Sequence, residues 1–306
     1  MTRALIAAIE TGGTKILCRV EAADDGRQVT FEVPSSRFAT TTPRQAVSDL
    51  VSAIRGAMGP GETLAAVGLA SFGPLIVDPA SPDYGLMLPT AKPHWAGFNL
   101  RAALAEQLAA PVVLETDVSA AALAEQAGGA GVGLDTVAYV TVGTGIGGGL
   151  VIDGRPLKGA LHPEVGHLRV HRHLGDRTPC VCPFHDDCAE GLAAGPAIAA
   201  RLAKGEILQD RPEVQAMVAD YLGQLCASLV LAWSPRCIVM GGGLLTTPGL
   251  LEQVGVELRR RLGAYVGQVA EPADYLRPPA FTDSGLEGAM ILARRWRSRG
   301  PSSHNL

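Results

Sequence analysis

The sequence predicts an α/β fold in two halves that share one plan, and three observations point there. A buried strand running into a glycine-rich turn occurs twice, at A-L-I-A-A-I-E-T-G-G-T-K (4–15) and at T-V-A-Y-V-T-V-G-T-G-I-G-G-G (136–149), each time with a further strand behind it. The composition is 47% hydrophobic with 37 glycines and only 5% aromatic residues, which suits helices packed closely on a sheet. A chain of 306 residues also divides more naturally between two cores than it gathers around one.

In chain order, the run 4–9 reads as a buried strand ending at Glu10 and the T-G-G-T-K turn. Apolar spacing predicts helices over 43–57, 99–109, 118–127, 190–203, 213–232 and 249–262, and a last one over 286–296 after the Pro278–Pro279 break. Strands are expected at 64–70, 112–115, 136–142 and 237–240, with the apolar run 150–152 behind the second turn. The seam falls near 117. Residues 1–117 form one domain, completed by the C-terminal helix 284–306, and 118–283 form the other, which carries a metal-binding segment at 162–190.

Composition excludes several function classes. Net charge is −4, with no basic face for a nucleic acid. The one basic cluster, Arg294, Arg295, Arg297 and Arg299 beside a Pro-Ser-Ser-His tail, reads as a frayed end. The N-terminus runs at once into L-I-A-A-I, too short for a secretory leader, and no apolar run approaches a membrane span. Cys18, Cys226 and Cys237 sit in apolar surroundings as buried reduced thiols. Together these features place the protein in the cytosol, where a cysteine cluster means metal rather than disulfides.

That cluster is dense. Cys182, His185 and Cys188 are spaced C-x2-H-x2-C, and a fourth ligand must come from elsewhere, His167 being the best placed. A closed Cys/His set suits a structural zinc, with Glu164 and Glu190 on either side. Buried free thiols are the weaker reading, and Cys180 competes with Cys182 for the ion. I-E-T-G-G-T-K (9–15) joins an acid at a strand end to glycines, a hydroxyl and a cation, the groups that hold terminal phosphates and Mg²⁺; its spacing fails the Walker A pattern. G-T-G-I-G-G-G (143–149) contains the dinucleotide form, but a strand follows it, which favours a phosphate-cradling hairpin. Asp117 lies between a strand and an Ala-rich helix, where an N-cap (filled by Asp117 or Thr116) is the plainer reading and a general base the functional one. Met240-Gly241-Gly242-Gly243 is either a helix-entry turn or a flat seat for an adenine ring.

Taken together, I-E-T-G-G-T-K, S-F-G-P (71–74), T-A-K-P-H-W (90–95), T-D-V-S-A-A-A-L-A-E (116–125), V-G-T-G-I-G-G-G, H-P-E-V-G-H (162–167), C-P-F-H-D-D-C-A-E-G-L-A-A-G-P-A-I (182–198) and V-M-G-G-G-L (239–244) resemble the ROK sugar kinases, and within them the bacterial fructokinase branch. The resemblance runs from residue 5 to about 295. It implies the actin-like, ribonuclease-H-like ATPase fold, with two domains closing over ATP and a hexose, and phosphoryl transfer from Mg-ATP to the 6-hydroxyl of fructose. It implies Asp117 as catalytic base, with Gly73, Thr116, Asp117, Glu164, His167 and Glu190 at the sugar. Gly12, Gly13, Thr14, Lys15, Gly143, Thr144 and Gly145 then face the phosphates, and Gly241 and Gly242 the adenosine. His167, Cys182, His185 and Cys188 match a zinc site, Cys182 being preferred to Cys180, and Glu10 is a candidate magnesium ligand. A homodimer is implied as well.

The sequence departs from the family pattern in places. Ser119 stands where Asn is usual, and Ala91 and His94 replace the more usual Pro and small residues of T-A-K-P-H-W. The alternatives are therefore a kinase of broader or different hexose preference (mannose, glucose) and a non-catalytic sugar sensor. A repressor of the family is disfavoured, because its DNA-binding domain precedes the first turn and only nine residues precede Glu10 here.

Overall fold

The computed structural model describes residues 3–12, 15–23, 28–29, 42–263, 265 and 272–299. Contacts divide the chain into two units: Met1–Ala124 with Arg155–His162 and Phe281–Leu306, and Glu125–Gly154 with Pro163–Ala280. The division thus falls after Ala124, inside a helix, rather than at 117, because the strand ending at Thr116 enters that helix without a linker. Residues 155–162 return to the first unit, where Lys158 Nζ lies 2.6 Å from Oε1 of the buried Glu115.

The first unit is built around β1 (Arg3–Thr11). It pairs antiparallel with β2 (Ile16–Ala22) and parallel with β4 (Glu62–Ser71), while β3 (Gln28–Val29) and β5 (Val112–Thr116) form the sheet edges. The apolar run of β1 is continuous because both faces are covered. Leu5, Ala7 and Ile9 point into a core with α1 (Pro43–Ala57) and α2 (Leu100–Leu108). Ile6 and Ala8 point the other way, towards Ala120 of α3 (Asp117–Gly128) and Leu286, Ala289, Met290 and Ala293 of α9 (Ser284–Arg299). Local chemistry sets the helix starts: Pro43 opens α1, and the Asn99 side chain caps α2 through the Ala102 amide at 2.9 Å.

Small residues let α9 lie almost on the sheet. A Cβ on Gly68 of β4 would stand 1.8 Å from the Ala289 carbonyl oxygen, and one on Gly288 would stand 1.9 Å from that of Ala120. The C-terminal arginines are part of this helix and not a frayed end. Arg294 bonds Glu21 and Arg297 bonds the Ala23 carbonyl, so the basic run ties α9 to β2 and the residue after it.

In the second unit, β6 (Thr136–Val142) pairs antiparallel with β7 (Ile146–Ile152) across the second turn and parallel with β8 (Cys237–Gly241), beside which lies the short β9 (Leu276–Arg277). The helix expected over 190–203 is broken into α4 (Ala189–Ala193) and α5 (Gly195–Ala199). Pro196 lacks an amide to continue it, and the Gly195 amide goes to the Gly143 carbonyl at 2.8 Å. The long α6 (Pro212–Trp233) packs on α4 and on α7 (Leu250–Leu262), and the single turn α8 (Pro272–Tyr275) lies beside α7. By length and composition α6 meets the membrane-span test, contrary to expectation, but its apolar window is 67% buried. Its polar residues are partnered inside the unit, Asp220 with Arg260 and Arg261 and Gln224 with His171, as in a core helix.

The close approach of α9 sets a stability expectation. Gly288→Ala should cost about 1–3 kcal/mol or more through overpacking, read as a lowered midpoint in chemical denaturation, whereas a change at the open Gly56 should cost no such overpacking.

Candidate functional site

In the first unit the chemistry collects at the ends of β1 and β5. Asp117 is the first residue of α3, and the cap is Thr116: its Oγ1 accepts from the Ser119 amide at 3.1 Å. That leaves the Asp117 carboxylate for other work, one oxygen accepting from the Val118 amide at 2.9 Å. Burial, opposed by that amide and by Lys92, lifts Asp117 from 3.8 to about 6. Ser119 spends its amide on the cap and is itself buried.

Glu10, at the end of β1, is lifted further. Burial, with the charges of Asp117 and Asp283, pushes it to about 7 against the opposing effect of Lys15 and the Leu286 amide. Its Oε2 is buried without a hydrogen-bond partner among the described residues. A carboxylate left so is one that a divalent cation or its water shell would satisfy, so Glu10 fits the magnesium role. Gly285 leaves room for this acid, because a Cβ there would stand 2.7 Å from Glu10 Oε1 and push the carboxylate aside.

Gly12 donates its amide to the Lys15 carbonyl at 2.9 Å, and Lys15 Nζ lies 2.6 Å from Asp283 Oδ1. Gly13 and Thr14 lie outside the described residues. Gly73 is pressed against His162, whose ring stands 3.0 Å from where a Cβ would be and whose Nε2 accepts from the Leu75 amide at 3.1 Å. His94 adopts φ 71°, a left-handed conformation that favours glycine, so its departure from the family's small residue carries a backbone cost of about 1–2 kcal/mol.

In the second unit His167, Cys182, His185 and Cys188 converge, with all four donor atoms within 4.8 Å of one another. Cys182 Sγ lies 3.7 Å from His167 Nδ1 and 3.6 Å from His185 Nδ1, and Cys188 Sγ lies 3.8 Å from His167 Nδ1. Donors about 2.0–2.3 Å from a tetrahedral zinc stand about 3.6 Å apart, so the set fits that ion. Burial pushes the Cys188 thiol up to about 12, and a cation is what would hold it as thiolate. Cys180 is outside the group, its Sγ 3.3 Å from the His185 carbonyl. A Cβ on Gly191 would stand 2.1 Å from that sulfur, which is why the loop closes on a glycine.

His167 links this cluster to Glu190: its Nδ1 faces the sulfurs and its Nε2 lies 4.0 Å from Glu190 Oε1. The other oxygen, Oε2, accepts from the Ile146 amide at 2.9 Å, and a Cβ on Gly145 would stand 2.6 Å from it. Glu164 is exposed at the start of the 3₁₀ turn Val165–His167. Gly143 donates to Gly145 across the turn at 2.9 Å, with Thr144 exposed at the tip. Gly241 and Gly242 are glycines for packing reasons, since a Cβ on the first would stand 2.1 Å from Tyr139 Oη and one on the second 2.4 Å from the Val142 carbonyl oxygen.

Sequence reasoning missed four polar residues of this framework: Lys92, Lys158, His162 and Asp283. His162 and Lys92 lie inside H-P-E-V-G-H and T-A-K-P-H-W, motifs that assign them no role, whereas the partners of Lys158 and Asp283 are too distant in sequence for any local signal.

Comparison with known proteins fits this geometry. The ROK family model matches residues 6–296. A fructokinase from Zymomonas mobilis is 37% identical over 294 residues, covering 93% of this chain and 95% of the relative. One from Pediococcus pentosaceus is 34% identical over 296 residues, covering 95% and 98%. The crystal structure of the ROK hexokinase from Thermus thermophilus superposes with a TM-score of 0.72 at 30% identity, covering 97% of this chain and all of that one.

Elemental analysis should find about one zinc per chain in protein purified without chelator. Chelation or Cys182→Ser should loosen the 162–190 segment, read as faster proteolysis there. Full protection after the metal is stripped would overturn the assignment.

Proposed function

The chain belongs to the ROK family and has its actin-like ATPase fold, and from that premise we propose that it is an ATP-dependent fructokinase phosphorylating the 6-hydroxyl of D-fructose in the cytosol as a homodimer. The observation that carries the reading is the junction of β5 and α3. There Thr116 takes the capping role and Asp117 is left with a carboxylate drawn towards neutral pH. A protein that only senses sugar has no use for a base tuned in this way. Fructose is favoured over other hexoses because fructokinases align at 34–37% identity, whereas a glucokinase of the same coverage aligns at 28%.

In this mechanism the sugar O6 attacks the γ-phosphorus, the bond from that phosphorus to the β-bridging oxygen breaks, and ADP leaves. Asp117 takes the hydroxyl proton as the new bond forms, a role worth about 10²–10⁴-fold. Glu164, His167 and Glu190 accept or share sugar hydroxyls, and Gly73 and Thr116 border the same sugar. Glu190 is held for this by the Ile146 amide through Oε2 and by His167 beside Oε1. The turns at Gly12–Lys15 and Gly143–Gly145 face the phosphates, and Gly241 with Gly242 the adenosine. Magnesium, held near Glu10, supplies charge neutralisation on the phosphates when bound. Zinc, held by His167, Cys182, His185 and Cys188, supplies a fixed loop and a fixed His167.

In a coupled ADP-release assay across fructose, mannose and glucose, fructose should give the highest kcat/KM. Asp117→Asn should lose about 10²–10⁴-fold in kcat while keeping fructose affinity within about threefold. Unchanged turnover would sink the base assignment. The pH profile follows from the same group, because the base works only when ionised. With Asp117 at about 6, kcat/KM should fall tenfold per unit below about pH 6, rather than below about 4 as for an ordinary aspartate.

A further inference from the structure

Lys92, in T-A-K-P-H-W, has no role in the mechanism so far, yet its surroundings are specific. Its Nζ donates to the Gly12 carbonyl at 3.2 Å and lies 3.0 Å from the centroid of the Phe72 ring. Both partners are fixed: Gly12 by its turn bond to Lys15, and Phe72 by edge contact with Trp95, ring centroids 4.9 Å apart, a tryptophan that is only 1% exposed. An ammonium has three N–H donors. The carbonyl and the ring face engage two, and the third has no partner among the described residues.

The position of this donor is informative. On one side it is bonded to the first phosphate turn. On the other its charge acts on Asp117, and the Asp117 charge acts back on it. Lys15, the cation that the turn motif itself supplies, is half exposed and pairs with Asp283. Burial opposes the charge on Lys92 and draws its pKa down to about 8, a cost that a tether between two loops would not require.

We propose that Lys92 is a further catalytic residue, whose remaining N–H donates to a non-bridging oxygen of the phosphoryl group as it passes from the nucleotide to the sugar oxygen beside Asp117. The proposal rests on the kinase reading above. The bonds made and broken are those given there: Asp117 takes the hydroxyl proton, ADP carries away the electron pair of the broken bond, and Lys92 keeps its own protons. Its contribution is a donor already in place where negative charge moves, so little reorganisation is needed at the moment of transfer.

The test uses the full chain with zinc and Mg-ATP. Lys92→Met should lower kcat by about 10²-fold, the usual cost of removing one such donor. Its fructose affinity, by calorimetry, should stay within about threefold, and its melting midpoint should be unchanged. Lys92→Arg, which keeps a charged donor, should retain at least about a tenth of wild-type kcat. Turnover of Lys92→Met within about threefold of wild type overturns the proposal. So does a parallel loss of fructose affinity and melting midpoint in both variants, which would make Lys92 a loop tether. The wild type in the same assay separates the two readings: if it does not phosphorylate fructose the kinase reading fails, whereas an active wild type with an equally active Lys92→Met removes only the role of Lys92.

Discussion

Two carboxylates taken out of water set the terms for much of the first unit. Glu10 lies at the end of β1 and Asp117 directly after β5 of the same sheet, whose two faces are packed with apolar side chains. Each acid is raised towards neutrality by burial before any charged neighbour is considered. The surrounding residues are arranged to make this tolerable: the start of α9 supplies the Leu286 amide to Glu10, Gly285 gives that acid room, and Lys92 offsets Asp117. A buried carboxylate without such support would protonate and lose its use as a base. Burial at the ends of β1 and β5 is therefore what draws these two acids towards neutral pH.

The second unit solves a different problem. Residues 162–190 contain little regular structure and few apolar side chains to hold them. A Cys/His set able to take a metal compensates for that missing core, and it does so beside Glu190. Both units are built on a five-stranded sheet, and the second adds a Cys/His ligand set at its least regular segment.

Much of this was legible in the sequence, for reasons that can be named. Continuous apolar runs marked β1, β5, β6 and β8, and apolar spacing marked α1, α6, α7 and α9 to within a few residues. The C-x2-H-x2-C spacing is a local geometric statement, so Cys182, His185 and Cys188 are readable in the sequence, with His167 the best placed fourth ligand. What was hidden depended on distance along the chain. Lys15 meets Asp283, and Lys158 meets Glu115, only after folding. The break of the 190–203 helix reflects a demand from Gly143, and the polar residues inside α6 make sense only once Arg260, Arg261 and His171 are beside them. The choice between Asp117 and Thr116 as cap was a matter of which oxygen faced the Ser119 amide, which no propensity contains.

The pairing of Gly145 with Glu190 has a consequence for how this chain varies. The hydrogen on the Cα of residue 145 and the carboxylate oxygen of residue 190 occupy adjoining volume, with no slack for a methyl group between them. A methyl group at 145 would therefore displace the mobile end of the Glu190 side chain from the Ile146 amide that it accepts from. A turn that looks like a free run of glycines is, at this one position, already committed to a side chain more than forty residues away.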